Sequence, residues 1–212
     1  MRDTHPPRLA GPQPLSGRIA AQVALTAAGG VLAIAATGTV LAGNWPGMLG
    51  TVLAWLLVCA AVAALMRRGY PHDRLGGCNA VTLLRAALAC ALLMPLMAGD
   101  AAGWGVAGVA AVALVLDGVD GHLARRSVLV SRFGARFDME TDAALALVLS
   151  LHVVAGTAVG AEGLVLGLPR YAFLLAGAVL PWLRADLPDL GEGLTEAEIE
   201  AELAAYNAER RG

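Results

Sequence analysis

The sequence predicts an all-α protein, a polytopic membrane helical bundle of about six transmembrane helices with both termini in the cytoplasm. Of its 212 residues, 58% are hydrophobic and only 15% are charged, whereas a soluble domain carries about 25% charged residues. The apolar residues are gathered into runs, and about 20 residues of apolar helix are enough to cross a bilayer. This composition favours an integral membrane protein over a soluble enzyme.

Six apolar segments follow one another after a polar, Pro-rich stretch. We expect residues 1–17 to be a disordered tail, because they contain too few apolar residues to form a core. The first two segments and the basic loop behind them occupy residues 18–76. The fourth segment continues as a helix into a polar motif. The segments run approximately over residues 19–42, 46–66, 81–98, 101–116, 143–161 and 164–183.

Outside these segments, arginine is confined to alternate loops and to the termini. The turns at residues 43–45, 99–100 and 161–163 contain none. The opposite side of the bundle contains Arg2, Arg8, Arg18, Arg67, Arg68, Arg74, Arg125, Arg126, Arg132, Arg136 and Arg184. Because basic residues accumulate in cytoplasmic loops, both termini and the polar motif are predicted to face the cytoplasm. The expected location is the plasma membrane of a bacterium.

Residues 185–212 differ from the rest of the chain because they are polar and acidic. The stretch Thr195-Glu196-Ala197-Glu198 is a capping box, which marks the start of a helix. Ile199, Leu203 and Tyr206 then share one helix face. We therefore expect an acidic cytoplasmic tail with a short amphipathic helix, too short to cross a bilayer.

Four aspartates stand between segments that are otherwise lipid-soluble, with no lysine nearby. Asp117 and Asp120 are three residues apart, and Asp138 and Asp142 are four apart, so each pair shares one face of a helix. We expect the two helices to be antiparallel and to point all four carboxylates into one cleft. Four like charges require cations, and an all-carboxylate ligand set selects hard ions such as Mg²⁺, Mn²⁺ or Ca²⁺ over zinc. Two such ions suit an in-line displacement at phosphorus.

Two glycines and an arginine accompany the aspartates. Gly121 removes a side chain where a phosphate or a ligand backbone could approach. Gly134, four residues before Asp138, does the same on the facing helix and permits tight helix packing. Arg125 lies four residues beyond Gly121 on the same face, where it can pair with a phosphate.

Taken together, this spacing resembles the signature of the CDP-alcohol phosphotransferases, also called CDP-alcohol phosphatidyltransferases. The match holds at every fixed position of Asp117-x-x-Asp120-Gly121-x-x-Ala124-Arg125, eight residues, Gly134-x-x-x-Asp138-x-x-x-Asp142. Upstream, Asn79-x-x-Thr82-x-x-Arg85 is similar to the N-x-x-T-x-x-R segment of the family. The resemblance covers about residues 77–184, which would form the catalytic core.

The resemblance implies a transferase of phospholipid biosynthesis that holds two Mg²⁺ or Mn²⁺ ions. It uses a CDP-linked lipid donor such as CDP-diacylglycerol, transfers the substituted phosphate to an alcohol and releases CMP. By the same resemblance, Asp142 is the base that deprotonates the acceptor and also touches the second metal. The implied metal ligands are Asp117, Asp120, Asp138 and Asp142, and the implied contacts to the CDP portion are Asn79, Thr82, Gly121, Arg125 and Ser131. A homodimer is expected, and no nucleic-acid partner.

The chain departs from the family pattern at its C-terminal side. The resemblance implies two further helices and a basic segment after residue 184, where this sequence has the acidic tail. Three explanations stay open: the N-terminal helix pair takes their place, the chain is a truncated or fused product, or it is a degenerate member that keeps only the donor site. Two other functions therefore stand beside the transferase, namely a catalytically silent membrane scaffold and a cation transporter that uses the acidic cluster.

Overall fold

The computed structural model describes residues 16–41, 44–101, 103–126, 129 and 131–180. Within these residues the chain is helical and contains no strand. The α-helices are α1 (Gly17–Gly38), α2 (Trp45–Gly69), α3 (Gly77–Ala91), α4 (Leu93–Ala98), α5 (Trp104–Arg126), α6 (Arg132–Gly156) and α7 (Pro169–Val179), and Ala161–Leu166 is a 3₁₀ helix. Residues 1–15 of the predicted disordered tail lie outside the described residues, as does the acidic tail with its predicted amphipathic helix.

Five candidate membrane spans confirm the all-α membrane bundle. Each has the length and composition needed to cross a bilayer: Gly17–Gly38, Trp45–Arg68, Gly77–Ala98, Trp104–Arg126 and Arg132–Gly156. The third span joins α3 and α4. The orientation of the termini stays a prediction from the arginine distribution.

The sixth apolar segment is interrupted in its described part. The 3₁₀ helix ends at Leu166, and α7 has only 11 residues, about 16 Å of helix against a hydrocarbon core of about 30 Å. Gly167 and Pro169 separate the two elements, and Pro169 lacks the N–H that a continuous helix needs from that position. The chain also divides near this point into two compact units, of which the first extends to Pro169 and the second begins at Arg170.

Helix α3 lies at the centre of the first unit and packs against α1, α2, α5 and α6. In an 18-residue apolar window of its span, 67% of the residues are buried inside the protein, against 22–28% in the corresponding windows of the other four candidate spans. Most of α3 is therefore shielded from lipid by protein. Polar side chains on α3 can face polar groups on α5 and α6, which avoids the high cost of placing them in hydrocarbon.

Side-chain caps fix where α2 and α6 begin. The Asn44 side chain accepts a hydrogen bond from the backbone N–H of Gly47 at 2.8 Å, and the Ser131 hydroxyl accepts one from Gly134 at 3.0 Å. Each cap satisfies a backbone donor that the first helical turn leaves without a partner. Ser131 thereby sets the start of the helix that carries Asp138 and Asp142.

Candidate active site

The four aspartates meet at one place in the first unit. Asp117 and Asp120 lie on α5, and Asp138 and Asp142 lie on α6. One carboxylate oxygen each from Asp117, Asp120 and Asp138 lies within 4.8 Å of the others. The Asp120 side chain is buried, whereas those of Asp117, Asp138 and Asp142 are 45%, 42% and 50% exposed. The helical spacing therefore did bring the carboxylates together, with one deep and three accessible from outside.

A buried guanidinium lies among these carboxylates. Arg85 on α3 is 1% exposed. Its Nη1 atom lies 2.8 Å from Asp120 Oδ2 and 2.8 Å from Asp138 Oδ1. Its Nη2 atom lies 2.8 Å from Asp117 Oδ1 and also pairs with Asp142 Oδ1. A single residue of the central helix thus contacts all four aspartates of α5 and α6.

Sequence reasoning missed this role of Arg85. The acidic cluster was expected to need external cations, and Arg85 entered only as the last residue of the upstream segment. One sequence feature could have indicated it: Arg85 is a charged residue within an apolar helix, one turn beyond Thr82. Since a charged side chain at membrane depth usually has a partner, an acidic partner for Arg85 could have been expected. The partners themselves lie 32 to 57 residues further along the chain, so spacing within one helix could not reveal them.

Asp120 is the most firmly held of the four carboxylates. Its Oδ2 atom accepts hydrogen bonds from Arg85 Nη1 at 2.8 Å and from the Thr82 hydroxyl at 3.1 Å. The Thr82 hydroxyl also lies 3.0 Å from the backbone oxygen of Cys78, so its one proton is shared between two acceptors. Hydrogen bonds from two sources satisfy a carboxylate that is otherwise cut off from water.

The donor set fits a hard divalent cation. Asp117, Asp120 and Asp138 supply carboxylate oxygens close enough to share one ion, and Mg²⁺ and Mn²⁺ prefer such ligands. Arg85 contacts the same three carboxylates, but one guanidinium against four carboxylates leaves an excess of negative charge. A cation bound here would share the carboxylates with the guanidinium. Asp142 is not part of this three-residue group. Its carboxylate pairs with Arg85, which also contacts the three members of the group.

A cavity of about 210 Å³ lies beside the carboxylates, between α3, α5 and α6. We call it the site cavity. Its lining includes Asn79, Thr82, Gly121 and Ser131, four of the five residues predicted to contact the CDP portion. Arg125 is not in the lining, although it lies on α5 one turn from Gly121. Asp120 and Asp138 also line the site cavity and connect it to the acidic cluster.

The two motif glycines differ in what surrounds them. A Cβ atom on Gly134 would lie 2.8 Å from Asn79 Oδ1, closer than a carbon and an oxygen normally approach. Gly134 therefore permits the close approach of α6 to α3. A Cβ atom on Gly121 would meet Arg125 Nη1 at 3.5 Å, an ordinary contact distance. At Gly121 the glycine keeps cavity space open.

Comparison with known proteins agrees with the motif. Residues 77–186 match the family model described as CDP-alcohol phosphatidyltransferase. The matched region begins at the first residue of α3, covers slightly more than half of the chain and contains every residue of the acidic cluster and the site cavity. No curated protein and no solved structure matches the chain.

Proposed function

This chain belongs to the CDP-alcohol phosphatidyltransferase family, and from that premise we propose that it transfers a phosphatidyl or related phospho-alcohol group from a CDP-linked donor to an alcohol. CMP is the second product. The observation that carries the proposal is the convergence of four aspartates beside the site cavity. Family membership and the membrane spans support a transferase of phospholipid synthesis in general, and the donor, acceptor and metal are the proposed part.

The site cavity supports a nucleotide diphosphate as the donor headgroup. Gly121 leaves space next to Asp120, so a phosphate can approach the α5 backbone without meeting a side chain. Arg125 lies in the last turn of the same helix, within reach of a phosphate on that side. Asn79 and Ser131 also line the site cavity and offer amide and hydroxyl groups. CDP-diacylglycerol fits this arrangement because its acyl chains can stay in the bilayer.

The carboxylates would hold the metal ions of the family. Asp117, Asp120 and Asp138 are the proposed ligands, with Asp142 touching a second ion. Bound divalent ions stabilise negative charge on the transferred phosphate and on the leaving oxygen. The buried Asp120, fixed by Thr82 and Arg85, would keep the ligand geometry in place while the more exposed carboxylates adjust.

Asp142 is the proposed general base. Its side chain is half exposed, so the hydroxyl of an acceptor can reach it, and its pairing with Arg85 orients the carboxylate. The acceptor oxygen forms a bond to the β-phosphorus of the donor while the bond from that phosphorus to the CMP oxygen breaks. The acceptor proton passes to an Asp142 oxygen, and the electron pair of the broken bond leaves with CMP.

The test is CMP release by detergent-purified protein supplied with CDP-diacylglycerol, Mg²⁺ or Mn²⁺, and a panel of acceptor alcohols. We expect release that requires a metal and one class of acceptor, and that falls by at least about a hundredfold in Asp142→Asn because general-base catalysis is lost. Glu140→Gln is the matched control, since Glu140 is an acidic residue of α6 outside the acidic cluster. Full activity in Asp142→Asn would refute the assigned base.

Two results would favour the other functions. Metal-dependent binding of the donor without CMP release from any acceptor would indicate a catalytically silent scaffold. Metal transport into proteoliposomes without donor binding would indicate a transporter.

A further inference from the structure

We infer that Tyr70 and Gln22 are positioning residues that hold Asn79 in its orientation at the site cavity. Both lie outside the region that matches the family, which begins at residue 77. The role in donor binding rests on the proposed function, in which Asn79 contacts the CDP portion. The N-terminal helices would then contribute to donor recognition without touching the donor.

The orientation of the Asn79 amide is fixed by its partners. Its Nδ2 atom donates to the backbone oxygen of Leu75 at 2.7 Å and lies 3.1 Å from the Tyr70 hydroxyl. A carbonyl oxygen can only accept, so the nitrogen end of the amide must face Leu75. The oxygen end then lies on the side of Gly134, toward α6. Asn79 is 3% exposed, so water does not readily replace these partners.

Tyr70, just after α2, holds the nitrogen end of this amide. Its hydroxyl lies 2.8 Å from the backbone oxygen of Arg74 and 2.9 Å from that of Leu75. The hydroxyl proton goes to one of these acceptors, and a lone pair accepts from Asn79. Burial raises the pKa of the Tyr70 hydroxyl above its usual range, so the proton is retained at neutral pH. The Tyr70 ring also packs edge-on against Phe133 of α6 at 5.6 Å.

Gln22 of α1 holds the same loop from the other side. Its Oε1 atom accepts a hydrogen bond from the backbone N–H of Leu75 at 2.8 Å. Leu75 is therefore held at both of its backbone groups, at the N–H by Gln22 and at the oxygen by Asn79, with the Tyr70 hydroxyl 2.9 Å from that oxygen. A chain of hydrogen bonds runs from α1 through Leu75 to a side chain in the lining of the site cavity.

The functional consequence follows from how few groups hold the amide. Without the Tyr70 hydroxyl, the Asn79 nitrogen keeps one partner, the Leu75 oxygen. Without Gln22, Leu75 loses the contact that anchors its N–H. One hydrogen bond contributes about 0.5–1.5 kcal/mol net, so we expect Tyr70→Phe and Gln22→Leu each to weaken donor binding about 2- to 12-fold. The side-chain hydrogen-bond partners of Tyr70 and Gln22 are Arg74, Leu75 and Asn79, none of which is a proposed metal ligand. We therefore expect metal affinity to stay within about twofold.

The experiment is a double-mutant cycle measured by binding of a soluble cytidine nucleotide, CDP, to purified full-length protein with Mn²⁺ present. Variants are Tyr70→Phe, Asn79→Ala and the double variant, and Mn²⁺ affinity is measured on each. If Tyr70 acts through Asn79, Tyr70→Phe weakens CDP binding in the wild-type background and changes nothing further in Asn79→Ala. Tyr171→Phe removes the same hydroxyl from α7 and serves as the matched control.

A second pair of variants tests Gln22. Gln22→Glu keeps an oxygen that can accept from Leu75 and should restore most of the CDP affinity that Gln22→Leu loses. If the effects of Tyr70→Phe and Asn79→Ala on CDP affinity are additive, the positioning role is overturned. CDP binding by the wild type would in that case still support the proposed function. A wild-type protein that binds Mn²⁺ but no CDP would overturn both.

Discussion

Removing the charge of Arg85 should destabilise the protein in a way that a divalent metal can offset. The perturbation is Arg85→Met, which keeps much of the side-chain length and removes the guanidinium. Asp120 is the partner that determines the magnitude, because its side chain is 4% exposed, and stripping the partner from a buried ion pair costs about 3–5 kcal/mol. The three other carboxylates are at least 42% exposed, and an exposed pair contributes at most about 1 kcal/mol. The expected loss is therefore about 3–5 kcal/mol, most of it from Asp120.

The assay is equilibrium unfolding in mixed micelles, first in EDTA and then with saturating Mn²⁺. In EDTA the variant should lose this free energy of unfolding, and Mn²⁺ should restore part of it because the ion supplies positive charge to the same carboxylates. Arg68→Met is the matched control, an exposed arginine at the end of α2 that should change stability by less than about 0.5 kcal/mol.

Direct Mn²⁺ binding separates this reasoning from a general loss of structure. A guanidinium 2.8 Å from Asp117, Asp120 and Asp138 oxygens opposes a second cation there. Arg85→Met should therefore bind Mn²⁺ at least about tenfold more tightly, and damage to the site would weaken binding. Equal stability of Arg85→Met and Arg68→Met in EDTA, or weaker Mn²⁺ binding by a folded Arg85→Met, would refute the role of internal counter-charge.

Two further substitutions test the contacts around the site cavity. Gly134→Ala places a Cβ atom 2.8 Å from Asn79 Oδ1, and the resulting overpacking of about 1–3 kcal/mol should weaken CDP binding by about fivefold or more. Gly118→Ala, with open space around it, is the control and should leave CDP affinity unchanged. Equal CDP affinities of the two variants in a binding titration would contradict the close approach of α6 to α3. Thr82→Val removes a hydrogen bond to the buried Asp120 carboxylate at 3.1 Å and should lower the free energy of unfolding by about 1.5–3 kcal/mol. Thr26→Val is the control, because the Thr26 hydroxyl bonds only the backbone of its own helix. If Thr82→Val loses no more stability than Thr26→Val, the contact with Asp120 adds little.

The sequence predicted those features that depend on spacing within one helix. Three- and four-residue intervals placed each pair of aspartates on one face, and both faces meet in the structure. The family assignment rested on the same intervals and is confirmed by the match over residues 77–186. The membrane bundle was predictable because long apolar runs have few alternatives to a spanning helix.

Features that depend on contacts between distant residues were not predictable. Arg85 reaches four carboxylates on two other helices, and no periodicity connects them. The hydrogen bond between Gln22 and Leu75 joins residues 53 positions apart. The interruption of the sixth apolar segment is different, since Gly167 and Pro169 were visible in the sequence. The prediction of one continuous helix there relied on the apolar composition of the segment and gave too little weight to the two residues that interrupt it.

The central position of α3 also bears on how the protein is made. Because α3 precedes α5 and α6 in the chain, a ribosome delivers the arginine to the membrane before it delivers the aspartates. Helices that carry two or three acidic residues each insert poorly on their own, since a charge placed in hydrocarbon costs up to about 2.5–3.5 kcal/mol. With the guanidinium already in place, the acidic helices have a partner as they arrive, and biogenesis can proceed before any metal is loaded.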